Sequence, residues 1–169
     1  ILTKTVHNVN IWKIKTQINK VIAIKAQIEK YNNFAKFNKN IKYSKYHIDI
    51  DHIPTKLGEK YDYYITGSDQ VWNPNFNRMS DIDFLKFAPK EKRNSFSASF
   101  GISEIPDELK EYYKNNLLEM QNISVREDRA KEIIKELTGR TDVEVLIDPT
   151  MMLTAEEWDK VSKKPKKLK

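Results

Sequence analysis

The sequence contains no cysteine and only four glycines in 169 residues. Without cysteine there is no disulfide, no thiolate metal site and no thiol nucleophile, and this composition suits a reducing, cytoplasmic compartment. The four glycines stand far apart, so no Gly-rich dinucleotide loop exists. No apolar run approaches the roughly 20 residues needed to span a bilayer. No charged-then-apolar leader opens the chain. It does not begin with Met, and a preceding segment is expected. A Walker loop, a Ser-His-Asp spacing and a paired general-acid motif are likewise missing.

Two of the three histidines fall in one metal-like run, His47-Ile48-Asp49-Ile50-Asp51-His52, and His7 is isolated. As a strand it puts His47, Asp49 and Asp51 on one side and His52 on the other. The run lies in a polar connector with no supporting shell, so no metal is expected. The net charge is +6, but Lys163, Lys164, Lys166, Lys167 and Lys169 fall in the last seven residues, and +1 remains without them. That tail reads as a solvated linker, and no nucleic-acid groove is expected.

What is present argues for a folded chain. Eighteen aromatics and a length of 169 residues suit one core that buries roughly 70% of the unfolded surface. From Ile11 to about Phe37 the pattern is helical: Ile11, Ile14, Ile18, Val21 and Ile28 step by three and four, with Lys25 interrupting. This predicts a long amphipathic helix packed on a globular body, with self-association through the 11–37 helix as the alternative. Residues 38–60 read as a polar connector in the same domain, so that residues 1–60 precede an α/β core over 61–161 and a linker over 162–169.

Strands and helices alternate in that core. Tyr61 to Thr66 is a strand stopped by Gly67, and Asn94 to Phe100 a strand stopped by Gly101. Pro106 opens a helix to about Met120. Asn122 to Val125 is a short strand, and Arg126 to Leu137 a helix with Ala130, Ile133, Ile134 and Leu137 on one face and Gly139 past its end. Val143 to Ile147 is a strand stopped by Pro149. Thr154 and Glu157 form a capping box for a last helix. Strands separated by helices predict an α/β fold with a Rossmann-like parallel sheet and flanking helices.

Ligands of such sheets bind beyond the carboxyl ends of the strands. Those ends carry Gly67, Ser68, Asp69, Gln70, Trp72 and Asn73 after the first strand. Ser99 and Gly101 follow the second, Arg126 and Glu127 the third, and Asp148 the fourth. Gly67 permits a tight turn and close approach of a ligand. Ser68 and Asp69 either cap a turn or meet sugar hydroxyls. Gln70 brings a donor and an acceptor. Trp72 offers a flat face for a sugar ring, or belongs to the core. Arg126 suits a carboxylate or phosphate, or pairs with Glu127 or Asp148. Asp148 accepts from a ligand hydroxyl, or holds the Pro149 turn.

The run from Tyr61 to Pro74 (Tyr-Asp-Tyr-Tyr-Ile-Thr-Gly-Ser-Asp-Gln-Val-Trp-Asn-Pro) resembles the polysaccharide pyruvyl transferase family. Phe84-Leu85 with Phe87, Ala98-Ser99-Phe100-Gly101, Ile123-Ser124-Val125-Arg126-Glu127 and Val145-Leu146-Ile147-Asp148-Pro149-Thr150 continue it in order and spacing, with Leu153 and Trp158 following. The resemblance spans about residues 60–160. It implies the N-terminal half of a two-domain, glycosyltransferase-B-type architecture. It implies transfer of a pyruvyl group from phosphoenolpyruvate to a sugar of a bacterial capsule, exopolysaccharide or cell-wall polymer. The partners implied are a saccharide or lipid-linked oligosaccharide acceptor and phosphoenolpyruvate as donor substrate, with no cofactor. Two departures are read: the usual opening strand with its Asn-Tyr-Gly loop is missing before the Ile11 helix, and the second domain, which in the family carries much of the phosphoenolpyruvate site and a histidine proposed as catalytic acid, is missing after Lys169. No catalytic acid or base is therefore assigned. The first domain is expected to face the acceptor, with Asp69 meeting a hydroxyl and Arg126 reaching the donor. A nucleotide-sugar glycosyltransferase and a non-catalytic interaction module are the alternatives.

Overall fold

A computed structural model describes residues 2–39, 41–76 and 80–162, with backbone alone for 2–15 and 17. The linker expected over 162–169 therefore lies, beyond Ser162, outside the described residues. The chain forms two compact units, Ile1–Lys45 and Tyr46–Lys169.

The first unit is one helix, α1 (Leu2–Asn38). No glycine or proline interrupts the first 53 residues, so nothing breaks the helix early. In this unit, described by itself, the side chains from Ile18 to Lys39 are exposed. Among the described residues no helix is long and apolar enough to cross a membrane.

The second unit holds β1 (Tyr64–Gly67), β2 (Arg93–Phe96), α2 (Asp107–Leu118), β3 (Ser124–Val125), α3 (Asp128–Thr138), β4 (Glu144–Val145) and α4 (Ala155–Val161). The strands are parallel, β1 with β2 and β3 with β4. The single expected sheet is thus two short ones. Two isolated parallel bridges, Asn94 to Asn122 and Ala98 to Val125, set them side by side. Serine explains the break. Ser97 has φ 49°, which ends the extended run after Phe96. The Ser97 N–H then donates to Ser124 Oγ at 3.1 Å, and Ser124 Oγ donates to Ser95 O at 3.0 Å. Hydroxyls replace ladder bonds where the two sheets meet.

The helix ends follow the sequence. Gly139 closes α3 in the left-handed region at φ 75°, and Thr154 with Glu157 makes the capping box of α4. The core lies between strands and helices: Tyr113 and Leu117 of α2, and Ala130, Ile133 and Ile134 of α3, pack with Val125, Phe100, Phe84 and Trp72. Of the strand expected over 143–147 only Val143 is buried. Val145 and Ile147 are exposed, because β4 has a neighbour on one side alone. Arg93, only 7% exposed, is a structural residue. Its guanidinium donates to Ala88 O, Lys86 O and Glu119 Oε2 at 2.7, 3.1 and 2.9 Å.

Candidate functional site at the strand ends

Tight turns carry the chain out of β1 and β2. Gly67 has φ 111°, and a Cβ there would stand 2.3 Å from Phe96 O, so only glycine fits. Asp69 follows in the left-handed region at φ 62°, which aspartate tolerates better than most residues. Its carbonyl accepts from Ser99 N–H at 3.0 Å, and Ser99 O accepts from Trp72 N–H at 3.2 Å. These bonds lay the loop after β1 along the segment after β2. Ser99 Oγ accepts from Gly101 N–H at 3.0 Å. Gln70 and Asn73 bond each other at 2.6 Å, directly against Gly101.

Trp72 is a core residue. It is 1% exposed and stacks on Phe84 with ring centroids 5.6 Å apart and planes 6° apart. Its Nε1–H donates to Asp83 O at 3.2 Å. The flat face offered to a sugar ring is covered by Phe84, because stacking two large rings keeps both out of water.

A charged network joins the remaining residues. Arg126 Nη1 donates to Asp148 Oδ2 at 3.0 Å, and Nε to Glu127 Oε1 at 3.0 Å. Its Nη2 lies 4.0 Å from Asp69 Oδ1. Ser68 Oγ donates to the same Asp148 Oδ2 at 3.0 Å. Asp148 Oδ1 accepts from Thr150 N–H at 2.9 Å and Thr150 Oγ1–H at 2.7 Å. The Thr150 hydroxyl and amide, then Arg126 and Ser68, hold the Asp148 carboxyl well below the usual carboxylate range. The carboxylates of Glu127 and Asp148 raise the Arg126 guanidinium in turn. Asp148 holds the Pro149 turn through Thr150, and the ion-pair reading of Arg126 is realised with both partners.

The loops after β1, β3 and β4 thus meet at one charged cluster, and backbone bonds attach the segment after β2. Asp69 is the freest member, its side chain 87% exposed. An open hollow of about 420 Å³ adjoins the cluster, lined by Gly101, Ile102, Ser103, Glu127, Arg129 and Ala130. Gly101 and Glu127 are expected there from the sequence. Ile102, Ser103, Arg129 and Ala130 are not, although they continue the same two strand-end segments. Arg129 is engaged, through Ser103 O at 2.6 Å and through Glu132 and Glu136. One guanidinium facing Asp69, Glu127 and Asp148 leaves the cluster net negative. It is suited to accept from hydroxyls, and Nη2 of Arg126, with no carboxylate nearer than Asp69 at 4.0 Å, is the part of the guanidinium most open to an anion.

The His47–His52 run does not assemble a site. His52 Nδ1 lies 3.0 Å from Asp49 Oδ1, and among the described residues no three His, Cys, Asp or Glu side chains gather to hold a metal.

The family model described as polysaccharide pyruvyl transferase matches residues 1–169, the whole chain. No curated protein and no solved structure matches.

Proposed function

The chain belongs to the polysaccharide pyruvyl transferase family, and on that premise we propose that it serves transfer of a pyruvyl group from phosphoenolpyruvate to a sugar of a bacterial cell-surface polysaccharide. Its strands then form the first, Rossmann-like half of a glycosyltransferase-B-type architecture working in the cytoplasm on a saccharide or lipid-linked acceptor. The supporting observation is the Ser68–Asp148–Arg126 cluster, which ties three strand ends together in one place.

The reaction makes a ketal. One sugar hydroxyl adds its oxygen to C2 of the enolpyruvate while a proton is delivered to C3, turning the methylene into a methyl group. A second hydroxyl then displaces phosphate at C2 through an oxocarbenium-like carbon, and its proton leaves with the phosphate. This needs a base near the hydroxyl and a cation near the anionic donor. Asp69 is the proposed hydroxyl contact, because its carboxylate is the most exposed of the cluster. Arg126 is the proposed donor contact. It reaches the donor carboxylate by exchanging Asp69, the loosest of its three partners at 4.0 Å. That exchange would release the Asp69 carboxylate to the acceptor in the same step. Asp148 and Glu127 keep the guanidinium oriented throughout.

The test is phosphate release from phosphoenolpyruvate by the intact protein with a panel of β-galactoside and N-acetylmannosamine acceptors, beside Arg126→Ala. Release that falls about 100-fold or more in the variant, with the fold intact by circular dichroism, supports the assignment. Turnover of a nucleotide sugar instead, with no phosphate release, overturns the reaction.

A further inference from the structure

The hollow beside the charged cluster lies between the segment after β2 and the start of α3, both in the second unit. Its volume of about 420 Å³ falls in the roughly 300–1,000 Å³ range of small-molecule pockets. Its two walls are fastened to each other. Arg129 Nε donates to Ser103 O at 2.6 Å, and the same guanidinium pairs with Glu132 and Glu136 at 3.0 and 2.8 Å. The space is therefore formed before any ligand arrives.

Glu127 stands at the N-cap of α3 without capping it. Ser, Thr, Asp or Asn would bond the first amides there. Glu127 turns instead to Arg126, whose Nε donates to its Oε1 at 3.0 Å. Among the described residues nothing donates to its Oε2. One oxygen of this carboxylate is held and the other is left to accept from a ligand hydroxyl. Ile102, half-buried, gives the hollow an apolar wall, and Ser103 an exposed hydroxyl. An apolar wall beside a few polar groups suits a sugar ring. Its C–H face sheds water against the isoleucine while its hydroxyls stay hydrogen-bonded.

Charge narrows the class of sugar. Asp69, Glu127, Asp148, Glu132 and Glu136 surround Arg126 and Arg129, five carboxylates against two guanidiniums, a net of −3. Glu127 and Asp128 already meet the positive end of α3. A ligand carboxylate in the hollow would face Glu127 Oε2, and Arg129, the cation of the lining, is already held by two glutamates. We propose that this hollow is the subsite for an uncharged sugar ring of the acceptor, and that Glu127 sets the selection by accepting from a ring hydroxyl and turning away sugars that carry a carboxylate. The inference rests on the proposal above that the strand ends receive a saccharide.

The experiment is a ligand-observed NMR titration of the intact protein with two matched pairs, methyl β-galactoside and its uronate, and N-acetylmannosamine and its uronate. No donor is added, so binding is read apart from turnover. The uncharged member of each pair should bind roughly fivefold tighter or more, the factor that one like charge at about 4 Å is worth in water-like surroundings. The difference should vanish at about 1 M salt, where the Debye length is about 3 Å, while the affinity for the uncharged sugars holds. Glu127→Gln should raise uronate affinity and close the gap. Ile102→Trp and Ser103→Trp fill the hollow from two positions, and each should weaken the uncharged sugars about tenfold or more, with circular dichroism unchanged. Equal or tighter binding of the uronates, binding of neither uncharged sugar, a gap that Glu127→Gln leaves as it was, or wild-type binding by both tryptophan variants overturns the proposal. The reaction is judged separately. Phosphate release that both tryptophan variants retain in full would remove the hollow and keep the reaction. Saccharide binding that those variants lose, in a protein that releases no phosphate, would keep the hollow and remove the reaction.

Discussion

At the scale of single residues, Trp72 and Asp148 show how one position can hold a loop in place. Trp72 is sealed beneath Phe84 and Phe100 and sends its N–H to a backbone carbonyl. Trp72→Ala therefore leaves a large cavity and costs about 3–5 kcal/mol, read as a lower urea midpoint. Asp148 acts through charge. Its carboxyl titrates below the usual carboxylate range when folded, so the unfolded chain binds more protons there in acid. The stability it contributes is complete above the unfolded value of about 4 and fades as pH falls further. Urea midpoints between about pH 5 and pH 2 should fall more steeply for the wild type than for Asp148→Asn. Equal slopes would show that the Thr150 and Arg126 bonds to Asp148 do not favour its ionised form.

At the scale of elements, serine hydroxyls do what continuous strands usually do. Ser95, Ser97 and Ser124 sit where β2 meets β3, and Ser124 Oγ both donates to Ser95 O and accepts from Ser97 N–H. Ser124→Ala leaves the Ser97 amide buried without that partner. The expected cost is about 1–3 kcal/mol, with Ser124→Thr milder because it keeps the hydroxyl. Calorimetric melts of the three proteins decide this. The sequence shows three serines spaced by Phe96 and Ala98, which reads as a half-buried strand. It does not show that Ser97 turns to positive φ, because that conformation is stabilised by the Leu146 and Ile147 carbonyls, 49 and 50 residues away.

At the scale of the whole molecule, protection should divide as packing does. The buried side chains of α2, α3 and β3 belong to one core, whereas α1 shows no buried side chain from Ile18 to Lys39. α1 belongs to a compact unit of its own, and a lone helix draws on propensity. Amides of Leu117, Val125 and Ile134 should therefore exchange with deuterium last, and those of α1 from Ile18 onward well before them. If α1 exchanges as slowly as α3, its amides are protected by more than helix propensity.

The sequence by itself determined the elements, their order and the family. Those depend on local signals that need no partner: Gly67, Gly101 and Gly139 at turns, Pro106 opening a helix, and Thr154 with Glu157 capping another. It also placed Gly67, Ser68, Asp69, Arg126, Glu127 and Asp148 at strand ends, because a parallel strand order fixes which ends share a rim. Only the tertiary structure decided what those residues do to one another. That Arg126 and Ser68 meet the same Asp148 oxygen, and that Trp72 turns inward onto Phe84, are contacts between different segments of the chain. Their geometry follows from how the loops pack, and no spacing rule along one segment contains it.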